Sequence, residues 1–167
     1  MIANSEERSA PETSAATVTV VIPCRAEYVA VARLAILGVA NRLDYSYDEV
    51  EDVRLAVGEA CTHAVARANA GGVDSSEAGE DQRIWIDSSI TSEGLSIEVR
   101  DTIPAVAMAA EEMEFDIDDD DAGISIDKQD LGALLMEILV DSVSVEAGPA
   151  GTVVRLYKKA PQHHNHA

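Results

Sequence analysis

Glu59 and His63 stand four residues apart in a segment of helical periodicity, so their side chains share one face about a turn apart. They belong to a polar stripe that also holds Asp52 and Arg67. In a cleft, a carboxylate so placed can take a proton from an attacking hydroxyl, and the group one turn on can hold a metal or a phosphate. The same spacing also suits an exposed Glu–His pair on a solvated helix. Asp101 ends an apolar strand directly before the sequence TIPAV. A carboxylate at such a strand end can accept a hydrogen from the exocyclic amine of a purine, and it can equally initiate a turn. Gly132 opens the third predicted helix, where free backbone N–H groups could receive phosphate, although a plain helix cap explains a lone glycine as well. The run Asp116 to Asp121 with Gly123 has part of a calcium-loop pattern, but Gln129 stands where a bidentate glutamate should close it.

The elements that must position these residues follow from hydrophobic period and turn chemistry. Residues 17–22 alternate as a strand that stops at Pro23, as an edge strand can. Val31, Leu34, Ala35, Gly38 and Val39 give a first helix over about 27–42. Ser46 with Glu49 forms a capping-box signature for a second helix, whose apolar face runs through Val50, Val53, Val57, Ala60, Cys61, Ala64 and Val65. Residues 83–90 and 95–100 alternate as strands joined by a turn at Ser92, Glu93 and Gly94. Leu131, Leu134, Leu135, Ile138 and Leu139 form the stripe of a third helix, followed by strands at 143–145 and 153–157. This order predicts an α/β two-layer sandwich, a mixed sheet with helices on one face, as a single domain over 17–159. Residues 1–16 and 160–167 are expected to be disordered tails. His163, His164 and His166 in the second tail could bind a metal or be merely solvated.

The chain of 167 residues carries 31 Asp and Glu against 12 Lys and Arg, a net charge of −19. Phosphate backbones and anionic membranes need clustered cations, so this balance excludes direct nucleic-acid and membrane binding. With 47% hydrophobic residues the chain still has material for a core. Ten of the acids lie between Asp101 and Asp127, where no Lys or Arg occurs. That stretch is too polar for a core, and it reads as an acidic lid over about 104–129. Cys24 and Cys61 fit neither a zinc pattern nor a disulfide framework, which predicts free buried thiols. No secretory signal and no run of roughly 20 apolar residues is present, so a cytoplasmic protein is expected.

Residues 22–65, IPCRAEYVAVARLAILGVANRLDYSYDEVEDVRLAVGEACTHAV, resemble the anti-sigma serine kinases of the RsbW type, in the GHKL superfamily of ATPases and kinases. Element order and length agree from about 17 to 159. The resemblance implies a Bergerat ATP-binding fold, a homodimer, and use of ATP with magnesium. It also implies binding of a sigma factor and phosphorylation of a serine on an anti-anti-sigma (STAS-type) partner. Carried over by position, Glu59 matches the catalytic base and Asp101 the aspartate that reads adenine. Gly132 is what remains of a glycine cluster, with Lys128 near it, and Gly151–Thr152 match a Gly-Thr pair beside the adenine pocket.

Several positions depart from the family pattern. His63 replaces the asparagine that coordinates magnesium, an ion that prefers oxygen ligands. Thr102, Ile103 and Pro104 replace a glycine-containing turn with a stiffer one. Asp130 and the eight acids from Glu111 to Asp121 would repel a triphosphate. The expectation is an anti-sigma regulator with ATP use weakened or lost. The alternatives are an active serine kinase working with a metal such as manganese, and a non-catalytic module whose acidic lid docks on a basic surface.

Overall fold

The computed structural model describes residues 16–70, 82–104 and 128–161, with the side chains of 128–130 excepted. Most of both expected tails and nearly all of the acidic lid lie outside the described residues; at their inner edges Ala16 already belongs to the first strand and Ala160 N–H donates to the Glu93 carbonyl at 2.8 Å, so these two residues are ordered. Strand β1 (Ala16–Pro23) leads through a short 3-10 turn (Ala26–Tyr28) into α1 (Val29–Ala40) and α2 (Tyr47–Ala70). Then come β2 (Arg83–Ile90), β3 (Gly94–Asp101), α3 (Lys128–Leu139), β4 (Ser142–Gly148) and β5 (Gly151–Lys159). The capping box forms as the sequence predicts: Ser46 N–H donates to Glu49 Oε2 at 2.7 Å, and Glu49 N–H to Ser46 Oγ at 3.2 Å. Two orphan donors of the 24-residue α2 are thereby satisfied.

The sheet order is β1-β2-β3-β5-β4, and every neighbouring pair is antiparallel. A mixed sheet was expected. The crossover through α3 does return β4 in the direction of β3, but the tight β4–β5 hairpin folds β5 back between them, so the two parallel strands never touch. Gly94 sits at a φ of 153° in the β2–β3 turn, and a Cβ there would lie 2.2 Å from the Lys158 carbonyl oxygen. Only glycine fits so close an approach.

Helices cover one face of the sheet. Ile84 and Ile86 of β2, Leu95, Ile97 and Val99 of β3, and Val154 and Leu156 of β5 meet Val53, Val57, Ala60, Cys61 and Ala64 of α2 in one core. Cys24 and Cys61 are free and buried, as expected, and burial pushes their thiols up to about 11 and about 12. Both stay protonated and inert as nucleophiles at neutral pH.

Two predicted helix faces differ from those observed. On α1 the buried residues are Val29, Ala32, Ile36, Val39 and Ala40, while Leu34 is 67% exposed and Val31 is exposed too. On α3 the inward positions are Gly132, Leu135, Met136 and Leu139, while Leu131, Leu134 and Ile138 face outward. Both helices are apolar on more than one side, so period alone does not select the stripe that packs. No helix among the described residues is long and apolar enough to cross a membrane.

Candidate functional site

Strand phase places the first half of the site. Leu95, Ile97 and Val99 point toward the helices, and Asp101 is the next inward position of β3. On β5 the inward series Leu156, Val154 ends in Thr152, and the β3–β5 register pairs Arg100 with Val153, which brings Asp101 and Thr152 side by side. Gly151, at a φ of 126°, makes this possible, since a Cβ there would lie 2.0 Å from the Asp101 carbonyl oxygen. Asp101 Oδ1 accepts N–H bonds from Ile103 at 2.9 Å and Thr152 at 3.3 Å. The bond to Ile103, two residues on, is the turn the sequence allowed for. Asp101 Oδ2 accepts from Arg67 Nη2 at 2.5 Å.

The second half lies along α2. Glu59 and His63 share a face as predicted, and α3 closes against them at Gly132. A Cβ on Gly132 would stand 2.2 Å from His63 Nε2 and 3.4 Å from Glu59 Oε2. Gly132 is the fifth residue of α3 rather than its opening residue, so its N–H belongs inside the helix and is not a free donor for phosphate. Its contribution is close approach. Lys128 is the first residue of α3, and its side chain lies outside the described residues.

Burial pushes the His63 imidazole below its ordinary pKa; Glu59 opposes this and Arg67 adds to it. The ring is therefore neutral at pH 7, with a lone pair available. Glu59 keeps a quarter of its side chain exposed, and Arg33 Nη2 of α1 lies 3.7 Å from Oε1. Arg33 crosses α2 at Gly58, where a Cβ would stand 2.1 Å from Arg33 Nε.

Arg67, one turn beyond His63, joins the two halves. Its pairing with Asp101 was not legible in the sequence, although its place on the polar stripe was. Arg33 carried no such signal, because it lies on another helix. At the start of the stripe, Asp52 accepts from Lys158 Nζ at 3.2 Å, and the same amine donates to the Leu139 carbonyl at 2.9 Å, tying α2, β5 and α3 together.

The first half holds groups that could pair with a nucleotide's base edge, although Arg67 occupies Asp101 Oδ2. Thr152 is buried and its Oγ1 has no hydrogen-bond partner among the described residues, beside a carboxylate that accepts hydrogens. Magnesium fits the second half poorly, because one carboxylate and one imidazole offer too few oxygens. Among the described residues no three His, Cys, Asp or Glu side chains cluster as a metal site.

The model of the histidine kinase-like ATPase domain matches residues 22–158, and the chain belongs to that family. Its relatives there include proteins named serine-protein kinase RsbW. That of Bacillus pumilus is 34% identical over 135 residues, 79% of each chain. That of Bacillus licheniformis is 32% identical over 136 residues, 78% of each chain. In Bacillus cereus a shorter match reaches 53% identity over 47 residues, 28% of this chain and 29% of the relative. A solved structure of the RsbU and RsbW domains of a Mycobacterium tuberculosis protein has the same fold, with a TM-score of 0.57 over 87% of this chain at 12% identity. This chain spans 33% of that longer one.

Proposed function

We propose that this chain is an anti-sigma regulator of the serine-kinase type, which binds a sigma factor or an anti-anti-sigma partner and uses ATP weakly. The observation that carries the reading is the unequal state of the two half-sites. In the first half Asp101, with Arg67 on its Oδ2, stands beside Thr152 Oγ1, a buried hydroxyl still able to pair. In the other half a neutral imidazole at His63, pressed against Gly132, stands one turn from Glu59 where an oxygen ligand would suit magnesium. ATP supplies a transferable phosphoryl group when bound. In this reading Asp101 and Thr152 hold the adenine edge, and Glu59 accepts the proton of the acceptor serine hydroxyl. His63 would hold magnesium poorly, so little of the charge neutralisation that the ion would supply to the triphosphate would be available, and slow transfer is expected.

Calorimetry with ATP and magnesium tests this, together with a phosphate-transfer assay on an anti-anti-sigma protein. Weak binding and slow transfer are expected. Micromolar affinity with rapid transfer would remove the weakened-ATP part of the proposal.

The Glu59 carboxylate, a quarter exposed and held only at 3.7 Å by Arg33 Nη2, favours a second reading, an active kinase that takes manganese through His63. Activity that appears with manganese and disappears in Glu59→Gln would select it.

A further inference from the structure

The Asp101 carboxylate is 2% exposed, and its Oδ1 already accepts two backbone N–H bonds. Its outward capacity therefore rests on Oδ2, and Arg67 holds that oxygen through a charge-assisted bond. Two further groups at the same place are incompletely satisfied. Arg67 Nε and Thr152 Oγ1 are both buried and have no hydrogen-bond partner among the described residues. A purely structural ion pair in so dry a place gains from satisfying every donor. Here one carboxylate oxygen is held by a group that leaves its own neighbouring donor unmatched.

We propose that Arg67 is an internal competitor of the nucleobase: its guanidinium holds the Asp101 oxygen that a 6-aminopurine needs, so the amine binds only by displacing it. This rests on the reading of Asp101 as the base-reading group. The physical consequence is a loss of discrimination. A hydrogen bond from an amine to a buried carboxylate adds selectivity only if the carboxylate was free beforehand, and exchanging one donor for another leaves little net gain. Arg67 also sits one turn from His63 on the same face of α2, so its release would alter the charge beside the imidazole.

The probes are ATP and purine riboside triphosphate, which has hydrogen in place of the 6-amine, titrated calorimetrically into the full chain. In the unmodified protein the two should bind within about threefold of each other. In Arg67→Met, ATP should tighten by about tenfold or more while the amine-free analogue changes little. Removing Arg67 leaves a buried charge without its partner, so thermal melting must confirm a folded variant. Arg67→Gln keeps an N–H donor without the charge and should give an intermediate ratio. The ratio in the unmodified protein needs no variant at all.

Strong preference for ATP in the unmodified protein, unaltered by Arg67→Met but erased by Asp101→Asn, would overturn the competitor while leaving Asp101 as the base reader. Absence of ATP binding in every form would overturn both. A larger ATP preference in Arg67→Met that Asp101→Asn then removes would support both.

Discussion

Two arginine–carboxylate systems lie on opposite faces of β3. On the helix side Arg67, a quarter exposed, pairs with Asp101, whose carboxylate is almost fully enclosed. On the outer side Thr19, Asp87, Arg100, Glu98, Arg155 and Glu146 form a polar ladder that crosses all five strands. Bonds from Thr19 and Arg100 hold the Asp87 carboxyl below its usual range. Yet these side chains remain in water, which competes with each contact and screens it. Water has little access to the Asp101 carboxylate itself, so losing one member leaves a charge with little compensation. The same chemistry adds little on one face and more on the other, because desolvation sets the strength of each bond.

Breaking the inner pair should have the largest effect. Asp101→Ala strands Arg67 and the N–H groups of Ile103 and Thr152, and should cost about 3–5 kcal/mol in urea unfolding. An unchanged midpoint would mean that water reaches the pair. Next comes Gly151→Ala, where a positive φ and a backbone oxygen both oppose the new Cβ; about 1–3 kcal/mol is expected. Gly132→Ala should be milder, because the His63 ring it meets is the end of a side chain and can turn aside. Its signature is a shifted imidazole resonance in NMR, and equal losses in the two variants would contradict the close backbone contact at Gly151.

The pH response sharpens the inner face further. Burial lowers the His63 pKa in the folded chain, so the unfolded chain takes up a proton first as pH falls below the ordinary histidine value near 6.5. Stability should therefore decline on acidification through that point, until the folded pKa is passed. His63→Asn should remove this part of the slope, seen as the difference between two pH–stability curves. The smallest effect belongs to the outer ladder: Arg100→Ala should cost less than about 1 kcal/mol, and less still in high salt. A loss as large as that of Asp101→Ala would erase the contrast between the faces.

Much of this was legible along the chain. The capping box at Ser46 and Glu49, the common face of Glu59 and His63, and the inward phase of Asp101 follow from periods of 3.6 and 2, which the backbone imposes locally. The resemblance over 22–65 added the family. It did not reveal which side of α1 or α3 would be buried, since Leu34 and Ile138 are as apolar as the residues that pack.

By itself the sequence determined the order of elements, the strand phases, the buried face of α2, and which polar residues would share a face. Tertiary structure decided that β5 lies between β3 and β4, that Thr152 stands beside Asp101 across 51 positions, and that Arg67 reaches the same carboxylate across 34. Local period repeats within a few residues. Register and close packing join residues that no period connects, and it is there that one carboxylate acquired two donors beyond that of its own turn.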